Sequence, residues 1–350
     1  MSPAPRAGAG NAWVLGVDSG GSGLRVALAR PHSDTGRAPR PVAVTTCAEP
    51  VRTGPAGIDA EHMMGQLVPA VRALLAEADT EDGPGPAAGG ARIAAACVGA
   101  AGMATLGDGL RAELPGALSG AFGIRRLALA ADAVTAYAGA LGERPGAVVA
   151  AGTGMIAMGT DLRSWRRADG WGHLLGDCGS GAWIGRAGLE AAMRDADGRT
   201  GGSAALRSRA EERFGAPLSG LPAQLYPRPD RPAVLASFAP EVARCAESGD
   251  PVAGSIVRAA AGEIAASAVA VCPRGRAPEG EPVTVAFTGG LFRLGEALTG
   301  PLRAELARLL PTARVTEAAG DPLDGALLIA GRLAADGLSL PSDATLLAVS

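Results

Sequence analysis

Twice in this chain an apolar strand runs into a glycine-rich turn and leaves it as another strand, and that doubling limits the fold more than any other feature. The first copy reads Val14-Leu15-Gly16-Val17-Asp18, then Ser19-Gly20-Gly21-Ser22-Gly23, then Leu24-Arg25-Val26-Ala27-Leu28. Leu24, Val26 and Leu28 alternate, as a strand with one buried face requires. The second copy joins an apolar strand over 147–151 to a short one over 155–158 through Gly152-Thr153-Gly154. Internal similarity of this kind predicts a duplicated domain. A length of 350 residues with 47% hydrophobic content is enough for two cores.

Between the copies, Asp59 can cap a helix whose Met64, Leu67, Val68, Val71, Leu74 and Leu75 fall at helical spacing, with Pro69 either inside it or splitting it. Residues 80–91 are acidic and rich in Gly and Pro, a surface loop by composition. Strands are expected over 92–98, leading into Gly99-Ala100-Ala101-Gly102, and over 127–131, ending at Asp132. In the second half, helices are expected over 182–195 and 251–271, then a strand over 283–287 before Thr288-Gly289-Gly290 and a helix over 291–298. A last helix runs from about 323 to 335, whereas 200–240, rich in Pro, Gly and Arg, has no readable period. Strands alternating with helices imply an α/β fold with parallel elements. The Pro/Ala/Gly-rich stretch 1–11 has no apolar core and reads as a disordered lead-in, not a signal peptide.

Charge narrows the partners. With a net charge of −3 and a pI of about 5.8, the chain has no basic excess to meet a nucleic acid or an acidic membrane surface, and neither partner is expected. The uncharged runs near 93–107 and 146–160 fall short of the roughly 20 apolar residues a membrane span needs. No lysine occurs in the chain, so a Gly-Lys-Ser/Thr phosphate loop is excluded. A nucleotide site must then use backbone N–H groups, a metal and arginine. The five cysteines, Cys47, Cys97, Cys178, Cys245 and Cys272, form no Cys-x-x-Cys pair and no even framework, so reduced thiols and a cytoplasmic location are expected.

Several motifs carry chemistry, and each has an ordinary alternative. In the 18–23 turn, glycines let the backbone approach phosphate oxygens, and Asp18 at a strand end can hold Mg2+. The same residues also suit a plain hairpin. Gly152, Thr153 and Gly154 offer a second cradle. With Ala157 they also match the dinucleotide fingerprint, but Gly159-Thr160-Asp161 leaves no room for the helix that fingerprint needs. Asp132, at the end of a strand, can accept a proton from a substrate hydroxyl or simply cap the helix over 133–141. The densest run is Gly170-Trp171-Gly172-His173-Leu174-Leu175-Gly176-Asp177-Cys178-Gly179-Ser180-Gly181. It suits a shaped polar pocket in which Asp177 accepts hydroxyl hydrogen bonds, with His173 either functional or bound to backbone. Gly289 and Gly290 leave a nucleoside room to lie flat, or form a strand-to-helix turn.

Taken in order and spacing, these motifs resemble the actin/hexokinase/Hsp70-like superfamily. The 18–23 turn resembles its first phosphate motif, 152–154 its second, and 285–291 its adenosine motif. The run 170–185, Gly-Trp-Gly-His-Leu-Leu-Gly-Asp-x-Gly-Ser-Gly-x-Trp-Ile-Gly, is similar to the signature of N-acetylglucosamine kinases and the related BadF/BadG-type ATPases. The resemblance covers about 13–335. It implies two duplicated actin-like (ribonuclease H-like) α/β domains, 12–143 and 144–322, with a nucleotide and sugar cleft between them and a C-terminal helix, about 323–337, packing back on the first. It implies ATP and Mg2+ as cofactors, with Asp18 on the metal, and Asp18, Gly20, Gly21, Ser22, Gly23, Gly152, Thr153, Gly154, Gly289 and Gly290 around the nucleotide. Asp132 would be the base, with Gly170, Trp171, Asp177 and Ser180 at the sugar. A homodimer is also implied.

Two positions depart from the resemblance. Cys178 stands where these kinases carry Glu, and the loop 45–57 lacks their sugar-binding Asn, a part that Arg52 and Thr53 can take. The expected reaction is phosphorylation of an amino sugar 6-hydroxyl, N-acetylglucosamine before glucosamine. Cys97 and Cys178 prompt an alternative, an ATPase activator with a subunit-bridging iron–sulfur cluster, although these cysteines lack cluster grouping. A non-catalytic sugar- or nucleotide-binding regulator is a further alternative. The zinc-type cysteine cluster of ROK sugar kinases is absent, and no helix-turn-helix precedes Trp13, so a repressor is disfavoured.

Overall fold

The computed structural model describes residues 12–21, 23–31, 38–54, 57–81, 92–273 and 281–350. The stretch 1–11, Ser22 and most of the 80–91 loop lie outside the described residues. In chain order the first elements are β1 (Ala12–Gly20), β2 (Gly23–Ala29), β3 (Pro41–Cys47), β4 (Thr53–Gly54), β5 (Gly57–Ile58), α1 (Ala60–Glu81), β6 (Arg92–Ala100), α2 (Met103–Leu106), α3 (Asp108–Phe122), β7 (Leu127–Ala131) and α4 (Asp132–Leu141). There follow β8 (Gly146–Ala151), β9 (Met155–Thr160), β10 (Trp165–Asp169), α5 (Gly181–Ala196), α6 (Ala204–Phe214), α7 (Leu221–Leu225), α8 (Arg231–Ala236), α9 (Ala239–Glu247), α10 (Pro251–Val271), β11 (Thr284–Thr288), α11 (Glu296–Leu309), β12 (Arg314–Glu317), α12 (Pro322–Ala334) and β13 (Leu347–Val349). Two compact units result. One comprises Met1–Arg144, Asp161–Trp165 and Ala318–Ser350, the other Pro145–Thr160 and Arg166–Glu317.

The first unit is built on a six-stranded sheet in the order β13-β7-β6-β1-β2-β3. β1 and β2 form the antiparallel hairpin, closing at Gly20 opposite Gly23, and β1, β6 and β7 run parallel. α12 packs on α4, β1 and β6. Two glycines make that approach close: a Cβ at Gly139 would collide with the carbonyl of Asp321, and one at Gly325 with the carbonyl of Thr135. Pro69 does not split α1, which is one helix from Ala60 to Glu81. A proline inside a helix costs about 3 kcal/mol, but Met63, Leu67, Val71 and Leu74 are buried along one face against β2 and β3. Burial of four such side chains, about 1.5–3 kcal/mol each, outweighs that cost.

The second unit holds a five-stranded sheet in the order β10-β9-β8-β11-β12, with β8–β9 antiparallel and β8, β11 and β12 parallel. Its core gathers Val149, Ile184, Phe238, Val257, Ile264 and Val285 among others. The stretch 200–240 resolves into α6, a 3-10 turn, α7 and α8, all short. Brief helices carry too few turns to show a period, which is why none was legible. Among the described residues α10 alone is long and apolar enough to cross a membrane. It packs against α11, α9, β9, β8 and α5 inside this core. The helix expected over 291–298 is instead a 3-10 turn over Gly290–Leu294 followed by α11, because Gly295 adopts φ 73 between them.

Candidate active site

In the first unit the C-terminal ends of the parallel strands carry the acidic residues. Asp18 lies opposite Arg25 across the hairpin and beside Gly99 of β6. Both Nε and Nη2 of Arg25 donate to Oδ2 of Asp18, at 3.1 and 2.6 Å, while Nη1 reaches Oδ2 of Asp321 at 2.6 Å. Asp321 in turn caps α12, accepting from Leu323 and Asp324 through Oδ1. One guanidinium thus serves two carboxylates that lie 303 residues apart, the number separating positions 18 and 321. Their protonation differs. Burial raises the Asp18 carboxyl above its ordinary value, and the Arg25 bonds only partly offset it. At Asp321 burial works in the same direction, but the bonds from Arg25 and from the backbone of Asp324 prevail and hold it below the usual range.

Asp132 stands at the end of β7, two strand spacings or roughly 10 Å across the sheet from Asp18. It does not cap α4. The cap position belongs to Ala131, in extended conformation with no side-chain bond, and Asp132 is the first helical residue. Its Oδ1 accepts the N–H of Ala133 at 2.9 Å, and the residue is half-buried. Gly20 and Gly21 have open space where a side chain would stand, and Gly23, at φ 126, lies against the carbonyl of Cys47. Arg52 and Thr53 are exposed. Arg52 turns to Glu49 at 3.4 Å and its amide donates to His62 Nδ1 at 3.1 Å, while Thr53 pairs with Ile58 in the β4–β5 hairpin.

In the second unit the 152–154 turn leads into β9, a strand, which removes the dinucleotide reading. The turn is braced from α5: Gly181 N–H donates to the Gly152 carbonyl at 2.8 Å and Ala182 N–H to that of Thr153 at 3.1 Å. Gly289, at φ 106, lies against the Ala151 carbonyl, so the 288–290 turn abuts the 152–154 turn at the ends of adjacent parallel strands. Asp177 also meets this turn, for a Cβ at Gly154 would lie 2.7 Å from its Oδ2. Burial raises the Asp177 carboxyl, against bonds from the backbone of Met155 and Gly172.

The 170–181 run forms a loop leading into α5. Gly170 lies over Ile156 at φ 73, and Trp171 is 61% exposed under the Arg167 guanidinium, 4.2 Å from the ring centroid. Ser180 is fully buried, and its hydroxyl caps α5 by accepting the Trp183 N–H at 3.2 Å. Sequence reasoning missed Asp169 and Arg167. Asp169 accepts from the N–H of Asp177 (2.6 Å) and Cys178 (2.8 Å), and Arg167 donates to the carbonyls of Asp169 (3.0 Å) and Gly170 (2.5 Å). The signal for them was weak, two charges at the end of a strand before a glycine.

Among the described residues no group of three His, Cys, Asp or Glu side chains could hold a metal by itself. Magnesium needs less, commonly one or two carboxylates completed by water and nucleotide phosphates. Asp18 fits that donor set, since Arg25 takes only its Oδ2. An iron–sulfur site fits poorly. Cys97 is wholly buried in the β6 core, its thiol pushed up by burial, and burial likewise raises the half-buried Cys178 thiol.

Comparison with known proteins agrees with this fold. A family model described as the BadF/BadG/BcrA/BcrD ATPase family matches residues 15–330. A candidate N-acetylglucosamine kinase from Chromobacterium violaceum is 30% identical, with 90% of this chain and 98% of that one covered and a TM-score of 0.63. A second, from Porphyromonas gingivalis, shares the fold at 17% identity and a TM-score of 0.64, over 91% of this chain and 98% of the other. The N-acetylmuramic acid/N-acetylglucosamine kinase of Clostridium acetobutylicum is 42% identical over 69 residues, 19% of this chain and 22% of that protein's length.

Proposed function

Since the chain belongs to the BadF/BadG/BcrA/BcrD ATPase family, we propose that it is an ATP-dependent sugar kinase that phosphorylates the 6-hydroxyl of an amino sugar, N-acetylglucosamine before glucosamine. The observation that carries this reading is Asp132, a half-buried carboxylate at the end of β7 on the same strand-end edge as Asp18 and its glycine turn. Phosphoryl transfer asks a protein mainly to align the reactants and neutralise charge. Asp132 takes the proton of the attacking hydroxyl. Asp18 would hold Mg2+, which when bound would supply positive charge to offset the negative charge of the nucleotide phosphates. The N–H groups at Gly20, Gly21, Gly152, Thr153 and Gly154 meet phosphate oxygens, and Gly289 and Gly290 leave a flat surface for the nucleoside. Gly170, Trp171 and Asp177 are the second unit's candidates for sugar binding, and Arg52 and Thr53 are those of the first.

Substrate choice is supported at Cys178. Burial first, then the nearby Asp169 and Glu263, raise its thiol. It is therefore uncharged at neutral pH and offers no anion to the ammonium of glucosamine, which favours the acetylated sugar. The test is coupled ADP release with N-acetylglucosamine, glucosamine and glucose, on wild type and Asp132→Asn. The expected result is preference for N-acetylglucosamine and a fall in kcat of about 10²–10⁴-fold in the variant. ADP release that ignores the substitution would remove Asp132 as the base.

A further inference from the structure

One carboxylate joins two loops of the second unit. Asp177 sits between the two: its carboxylate packs on Gly154 of the 152–154 turn, it directly follows the exposed 170–176 loop, and the backbone of Met155 and of Gly172 both favour its charged form. Its Oδ2 lies so near Gly154 that a Cβ there would stand 2.7 Å away, so the absence of a side chain at 154 makes room for the carboxylate as well as for a phosphate. The backbone is bent to deliver it. Asp177 has φ 54 and Asp169 has φ 60, a left-handed conformation that asparate-type side chains tolerate better than most. Asp169 fixes the approach by taking the N–H groups of Asp177 and Cys178, and Arg167 ties the start of the loop through the Gly170 carbonyl. The loop is held at both ends and open at its tip, where Trp171, Leu174 and Leu175 are 61%, 80% and 86% exposed.

We propose that Asp177 is a positioning residue that couples the phosphate turn at 152–154 to the 170–176 loop, so that nucleotide bound at the turn orders the loop, and sugar bound at the loop orders the turn. The inference rests on the kinase reading above. A carboxylate suits the role because it presents only acceptors to the backbone N–H groups around it, whereas an amide offers one accepting oxygen and a donor. Reciprocity follows from thermodynamics: if nucleotide tightens sugar binding, sugar tightens nucleotide binding by the same factor.

Hydrogen exchange read by mass spectrometry on the full chain, with and without Mg-ADP, tests this. In wild type, Mg-ADP should slow exchange over 152–157 and also over 170–178, by about fivefold or more. In Asp177→Asn the slowing over 152–157 should persist while that over 170–178 disappears. Gly154→Ala, which drives a methyl into the carboxylate but leaves its charge, should lose the same protection at saturating Mg-ADP, and it serves if the first variant fails to fold. N-acetylglucosamine alone should slow 152–157 in wild type and not in Asp177→Asn. Protection confined to 152–157 in wild type, or kept over 170–178 in both variants, overturns the coupling and leaves the kinase reading standing. No protection anywhere with Mg-ADP overturns the kinase reading, and the coupling with it.

Discussion

The two glycine turns began from the same pattern and are held in opposite ways. At the first, side-chain charge does the holding: Arg25 pins Asp18 and reaches Asp321, while nothing lies within 4 Å of where side chains at Gly20 and Gly21 would stand. At the second, backbone does it: the carbonyls of Gly152 and Thr153 take N–H groups from the start of α5, and Gly154 is packed by Asp177. A turn braced by backbone presents its N–H groups at fixed positions. A turn anchored by an ion pair presents an acidic group and keeps its tip open. The pattern strand–glycine–strand thus specifies the hairpin, and the surroundings divide the labour between charge and N–H groups.

The sharpest way to break this comparison is Arg25→Ala. It leaves the Asp18 carboxylate, with 14% of its side chain exposed, without its cation. The expected loss is about 2 kcal/mol, below the range for fully buried pairs because Arg25 is itself a third exposed. Urea unfolding measures it, and an unchanged midpoint would show that the ion pair does not anchor the turn. Gly154→Ala follows, costing about 1–2 kcal/mol as the Asp177 carboxylate shifts. Gly20→Ala, with open space at that position, should stay within about 0.5 kcal/mol of wild type. Equal losses at the two glycines would erase the contrast.

The smallest effect separates the two carboxylates around Arg25. Asp18 is raised, so the stability it contributes is present below its unfolded value near 3.9 and is lost as pH rises through its folded value. Asp321 is lowered, so its contribution is present above about 3.9 and is lost as pH falls through its depressed value. Relative to wild type, Asp18→Asn should therefore become less stable as pH is lowered from 7 towards about 4, whereas Asp321→Asn should recover between about pH 4 and 3. Each trend is expected to be under about 1 kcal/mol, given the exposure of the groups. Thermal melts across this range check the opposite signs. Parallel trends would mean that the two carboxylates are not set apart by burial.

Much of the fold was legible because it is local. β7 and α10 match the expected ranges, and the two hairpins follow from alternation around glycine. β3, β10, β12 and β13 were not recognised. β12 and β13 are only four and three residues long, and β3 sits at a sheet edge with several exposed residues, so neither length nor alternation marks them. The candidate site divides in the same way. Asp18, Asp132, Gly152, Gly154 and Asp177 stand out in the sequence because carboxylates and glycines at strand ends and in turns are unusual. Arg25, Asp169 and Asp321 do not, since an arginine within a strand or an aspartate before a helix is common.

By itself, then, the sequence determined what depends on neighbouring residues: strand alternation, turns that need glycine, the absence of a lysine phosphate loop, and the 170–185 signature. Only the tertiary structure decided which groups meet. It brings Asp321 to Arg25, seats the Asp177 carboxylate against Gly154, and makes the buried Ser180 hydroxyl the cap of α5. The physical reason is one of range. Alternation and turn conformation are set by steric contacts within a few residues, but an ion pair or a close carbonyl contact is fixed only when packed sheets and helices bring distant segments within hydrogen-bonding distance.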